Sequence, residues 1–192
     1  MSYKKLGFSA VVAVITLASS WSHAAPLNLD LTEFDPDLSF NFGSATYDAA
    51  TDIFSLEAFT STLSSDGETS QNVAGSVSLT AEISAGGILV SGTISVLGTT
   101  SGDIINASSG TLLTGTLTAF GFSNDAQEIL EFIFTPTGGD LAPLYVGYDQ
   151  TPAGVAGVGG LILSATGYDD NDFNSNFSGD AFGTFGDLAP IP

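Results

Sequence analysis

The sequence predicts an all-β, antiparallel fold: a β-sandwich of jelly-roll type or a related barrel. Three observations carry that expectation. Apolar and polar residues alternate with a period of two through most of the chain, as on a strand with one buried face. Turn residues interrupt the alternation roughly every 8–12 positions, the spacing of short sandwich or barrel strands. No segment keeps helical spacing over a useful length, and the Gly-, Ser-, Thr-, Val- and Phe-rich composition favours strands.

The elements follow in order. Leu27, Leu29 and Leu31 alternate, then Leu38, Phe40 and Phe42. After the turn in TYDAATD come Phe54, Leu56 and Ala58. Val77, Leu79, Ala81 and Ile83 form a clear strand, which SAGG turns into Ile88, Val90, Gly92, Ile94 and Val96. Gly98 to Gly110 reads as a long loop, and TLLTGTLTAFGF as the next strand. Leu130, Phe132 and Phe134 alternate before the turn in TPTGGD. LYVGYD and GGLILSATGY supply a later pair, and Phe173, Phe177, Phe182 and Phe185 close the chain among Gly, Asp and Asn. Nine or ten short strands result.

The first 24 residues read differently. Lys4 and Lys5 precede an apolar run from Leu6 to Ala18, and Ser22-His23-Ala24 places small residues at the −3 and −1 positions of a cleavage site. That order is a secretory signal peptide cut after Ala24. The apolar run is shorter than the roughly 20 residues of a spanning helix. The expected organisation is a signal peptide over 1–24, one β-domain over 25–188 and a Pro-rich end over 189–192. No later run is long and apolar enough to cross a bilayer, so the mature chain is expected to be exported without a membrane span.

Charge restricts function more than any motif does. Lys4, Lys5 and His23 are the only basic side chains, against 21 Asp and Glu. From Ala25 onward there is no Lys, Arg, His, Cys, Trp or Met, and the side-chain charge is −21. Without His there is no Ser-His-Asp triad and no imidazole base. Without Cys there is no thiol nucleophile, disulfide or thiolate metal site. Without Lys or Arg there is no Schiff base and no clamp for phosphate. Nucleic acid is not an expected partner, because binding it rests on basic side chains.

Each carboxylate must therefore face water, accept backbone N–H groups or bind a cation. Calcium is the one candidate cofactor, since it takes oxygen ligands alone. The richest constellation is YDDNDFNSNFSGD, where Asp170, Asp172, Asn174 and Asn176 alternate and would share one face of an extended chain. It is not an EF-hand: Ser175 stands where that loop needs Gly, and Ala181 where it needs Glu. The same residues also make an ordinary polar loop, because Asp and Asn favour turns. Asp35-Pro36-Asp37, and Asp48 with Asp52, are weaker candidates.

A carboxylate pair drawn from Glu57, Glu68, Glu82, Glu128 and Glu131 could in principle hydrolyse a glycoside, but no spacing sets two of them across a cleft. The expectation is a protein that is not an enzyme. Tyr145, Tyr148 and Tyr168 could offer apolar faces with hydroxyl tips to a sugar, or simply pack in strands. Asn106-Ala107-Ser108 and Asn176-Phe177-Ser178 match a glycosylation sequon, a pattern too short to assign a role alone.

Several phrases occur in series: TYDAATDIFSL, TAEISAGGILVSGTISV, GTLLTGTLTAFGF, FTPTGGDLAPLY and GLILSATGY. Together, over roughly 38–168, they resemble the extracellular regions of bacterial PEP-CTERM proteins, which exosortase sorts to the surface. Ala189-Pro190-Ile191-Pro192 resembles the lead-in to that family's sorting signal; its Glu-Pro, apolar helix and basic cluster are not within these 192 residues. The resemblance implies a cell-surface or extracellular-matrix role, with exopolysaccharide or other matrix components as partners. It supplies no catalytic residues. The expected function is a non-catalytic secreted or surface protein; the alternative is a calcium-dependent carbohydrate-binding module.

Overall fold

The computed structural model describes Leu29, Leu31 and residues 33–65, 69–102, 104–123, 129–145, 157–168 and 173–188. Eight antiparallel strands follow one another as nearest neighbours: β1 (Glu33–Asp48), β2 (Ile53–Ser65), β3 (Thr69–Ile83), β4 (Leu89–Thr100), β5 (Ser108–Phe122), β6 (Ile129–Gly138), β7 (Gly159–Ala165) and β8 (Phe177–Leu188). β8 pairs back onto β1, so the sheet closes into a barrel. Of the two predicted architectures the barrel is realised, in up-and-down order rather than as a jelly roll. The strands are fewer and longer than the turn spacing suggested. β4 and β5 run into the segment read as a long loop, which shrinks to 101–107.

Closure explains the length of the strands. A closed sheet has no edge to protect, and each strand pairs with a neighbour on both sides apart from local bulges. An eight-stranded barrel also has an interior just wide enough for side chains to fill. Among the described residues, twelve buried aromatic rings occupy it, with Leu, Val, Ile and Ala between them. Most of these rings meet tilted or edge-on, as Phe120 does with Phe132 (4.7 Å) and Phe54 with Phe132 (5.5 Å), while Phe120 stacks on Phe122 and Tyr47 on Phe177. Such geometry adds about 0.5–1.5 kcal/mol per pair beyond simple burial.

Many outward positions are polar, although Phe42, Phe59, Val90, Leu97 and Phe182 are also exposed on the strands. Glu57, Thr80, Glu82, Thr93, Thr116, Thr118, Ser178 and Asp180 are exposed on the outer wall. A membrane-spanning barrel is built the other way round, apolar outside and polar within. No helix among the described residues is long and apolar enough to cross a membrane.

The two ends differ. One holds the β1–β2, β3–β4, β5–β6 and β7–β8 connections. There Phe173 sits wholly buried among Tyr47 (4.9 Å), Phe120 (5.1 Å), Phe122 (5.4 Å) and Tyr168 (5.6 Å). The other holds the start of β1, the end of β8 and a 3-10 turn over Ala142–Leu144. Tyr145 follows that turn and packs on Phe134 at 5.7 Å.

Candidate functional site

The predicted calcium loop is divided. Asp170 and Asp172 lie outside the described residues, as do Glu68, Glu128, Tyr148 and Ala24. Asn174 and Asn176 are described and exposed. Asn176 is already engaged in the fold. Its Oδ1 accepts the Ala49 N–H at 2.8 Å and ties the β7–β8 connection to the β1–β2 turn. In that turn Asp48 Oδ1 accepts the Ala50 N–H at 2.9 Å, and the Tyr47 hydroxyl donates to Ile83 O at 2.8 Å with Asp52 Oδ1 the longer alternative at 3.3 Å. Burial, then the Asp52 charge, push that hydroxyl's pKa up to about 12. Asp48 and Asp52 thus act as turn and buttress.

Two expectations about sugar contacts are corrected by burial. Tyr145 and Tyr168 are each 1% exposed and serve as ring packing at opposite ends of the barrel, so neither offers a face to a ligand. Glu57, Glu82 and Glu131 stand on β2, β3 and β6 with separate partners. Glu57 accepts from Ser78 Oγ (2.6 Å) and Glu82 from Ser91 Oγ (3.5 Å). Glu131 is buried under the chain that leads into β1, accepting the N–H groups of Leu29 (2.7 Å) and Leu31 (3.0 Å).

The larger correction concerns Phe42. Alternation placed it in the core with Leu38 and Phe40, yet Phe40 is buried and Phe42 is 91% exposed. A bulge explains the switch. Phe40 pairs with Gly183 and Gly43 with Ala181, which leaves Asn41 and Phe42 together opposite Phe182. One extra residue inverts the alternation and re-aims a side chain. Gly43 takes the inward place, where a Cβ would lie 2.8 Å from both Ala181 O and Ala58 Cβ. Phe42 is turned out with φ at 52°, a conformation that bulky residues rarely adopt.

The bulge completes a row. Asn41 pairs with Phe59 on β2, which is 63% exposed, and Phe182 on β8 is 53% exposed. Phe59, Phe42 and Phe182 therefore stand at one level on three adjacent strands, β2, β1 and β8. Neighbouring strands lie about 4.8 Å apart, so the row spans on the order of 10 Å. Its surroundings are rich in oxygen and poor in charge donors. Asn41 Nδ2 donates to Ser61 Oγ at 3.3 Å, Ser61 Oγ donates to Ser39 O at 3.3 Å, and Glu57 and Asp180 stand exposed nearby in the same register.

An open cleft of about 520 Å³ lies by the 3-10 turn, lined by Ile104, Ile105, Pro143 and Leu144, with Ser108 Oγ bonded to Asp140 Oδ2. Its chemistry is a hydroxyl and a carboxylate without an imidazole or ammonium partner.

No protein-family model, curated protein or solved structure matches this chain significantly.

Proposed function

We propose that this chain is a non-catalytic, exported β-barrel of the bacterial cell surface or extracellular matrix that touches polysaccharide through its outer aromatic row. The single observation carrying the reading is the bulge that turns Phe42 outward beside Phe59 and Phe182. A bulky residue in the left-handed region costs about 1–2 kcal/mol, and that cost persists at functional sites where it aims a side chain. Three exposed phenylalanines at one level of three adjacent strands offer an interaction surface.

The surroundings select the partner. A barrel with no basic side chain among its described residues, from a chain carrying 21 carboxylates, repels polyanions and anionic lipid. Amide, hydroxyl and carboxylate acceptors beside the rings suit a ligand that brings its own hydroxyl donors. A neutral glycan does so, and its C–H faces lie flat on aromatic rings. The N-terminal 24 residues and the resemblance to PEP-CTERM proteins support an encounter outside the cell.

The second reading is a calcium-dependent carbohydrate-binding module, favoured by the acidity and by the Asp170–Asn176 segment. Fractionating the host's own cells separates the readings. The first predicts processed protein in the surface or matrix fraction, retained through washing with a calcium chelator. Release by the chelator supports the second. Unprocessed full-length protein in the cytoplasm contradicts both.

A further inference from the structure

Where β1 meets β8, near the end that carries the 3-10 turn, two acidic side chains fold over a bare glycine. Glu33 pairs with Leu188, and Asp37 immediately precedes Leu38, which pairs with Phe185. Gly186 lies between them: a Cβ there would fall 2.4 Å from Glu33 Cβ and 3.0 Å from Asp37 Oδ1. Thr184 Oγ1 donates to Glu33 Oε2 at 2.5 Å and the backbone of Ile162 and Gly186 lends that carboxyl smaller hydrogen-bonding support, yet no partner in full hydrogen-bond geometry reaches Glu33 Oε1 or Asp37 Oδ1, both buried. Burying a carboxylate oxygen without a partner is costly. Tyr145 adds a third such atom. Its side chain is 1% exposed, its hydroxyl has no partner, and the charges of Glu33, Asp37 and Asp187 all act on it. Asp187 is engaged already, its Oδ1 accepting the Leu188 N–H at 3.1 Å.

These three unsatisfied oxygens come from β1 and from the segment after the 3-10 turn, and no basic side chain among the described residues answers them. We infer that Glu33, Asp37 and Tyr145 enclose a binding site for one hard cation of the calcium type. Calcium accepts carboxylate, hydroxyl, backbone and water oxygens in flexible geometry. A proton on Glu33 or the Tyr145 O–H could answer these atoms only in pairs, whereas one cation would answer all three at once. Among the described residues no three acidic side chains converge on one point. Two carboxylates therefore do the work, and the affinity belongs to the weak, extracellular class, with Kd of about 0.1–1 mM. The inference stands apart from the aromatic row and from the Asp170–Asn176 segment.

Terbium, which replaces calcium and emits when a nearby tyrosine is excited, tests the site in the full chain with Trp21→Phe removing the competing indole. The expected result is emission that calcium competes away, lost in Tyr145→Phe and Asp37→Asn and kept in Tyr168→Phe. Alongside it, about 10 mM calcium should raise Tm by about 3–6 °C more than magnesium at equal ionic strength, for a Kd of about 1 mM. Emission that survives Tyr145→Phe, or that disappears in Tyr168→Phe, overturns the assignment. So do equal shifts for the two metals, which mean charge screening. Tyr145→Phe also removes the sensitising phenol, so its loss of emission places terbium beside this ring, while loss in Asp37→Asn, which keeps the phenol, and the calcium-specific Tm shift identify the ligands.

Discussion

Phe173 and Phe42 are held in the same left-handed backbone region, at φ 58° and 52°, and end in opposite places. Phe173 is wholly buried against Tyr47, Phe120, Phe122 and Tyr168, and closes one end of the barrel. Its strain is offset by packing. Phe42 is 91% exposed, and no burial offsets its strain. The same unfavourable conformation is structural at one site and, in the proposed reading, functional at the other. Strain alone does not mark a site; strain without burial does.

The largest effect should come from the buried member. Phe173→Ala removes the ring on which the plug converges and should cost about 3–5 kcal/mol, read from the urea midpoint of unfolding. A loss below about 1 kcal/mol would make the two phenylalanines alike and break the contrast.

The opposite end of the barrel adds partly buried carboxyls, Glu33 and Asp37, to its rings and should respond to pH. Burial raises the Glu33 pKa from its ordinary 4.5 to about 8, with the Thr184 hydrogen bond opposing and Asp37 adding to the rise. Burial, then the Asp35 charge, also raises Asp37. A group raised on folding contributes stability that is complete below the unfolded pKa and is lost as pH rises through the folded one. In calcium-free buffer, stability should therefore fall between about pH 5 and about pH 9, by an amount on the order of a few kcal/mol. Glu33→Gln should flatten that fall relative to the parent chain. Identical slopes would mean that the pH response is general repulsion among the 21 carboxylates.

The smallest effect on stability belongs to Phe42. Phe42→Gly relieves about 1–2 kcal/mol of left-handed strain, against about 0.5–1 kcal/mol of extra unfolded-state freedom. The net change should lie between zero and a gain of about 1.5 kcal/mol.

Much of this fold was legible because a strand with one buried face has a period of two. Val77, Leu79, Ala81 and Ile83 point inward as their spacing predicts. Closure was not legible, since a sandwich and a barrel impose the same alternation on each strand. The bulge at Asn41–Phe42 escaped for a related reason. Counting in twos cannot see an inserted residue, although the Phe42-Gly43 pair hints at one: Gly fits the tight inward place between β2 and β8. Tyr145 and Tyr168 looked available because spacing does not reveal which rings plug an end. Glu33, Asp37 and Tyr145 come to the same end of the barrel only because β8 returns to β1 and the 3-10 turn lies at that end. No local pattern records that meeting.

Whether the outward ring is there to bind is decided by measuring Phe42→Gly twice, once for unfolding stability and once for retention on the exopolysaccharide of the host. The expected result is stability equal to or above the parent chain, with retention lost. A variant that loses stability and keeps its grip on the polysaccharide would show that Phe42 serves the fold, and would contradict the proposed role.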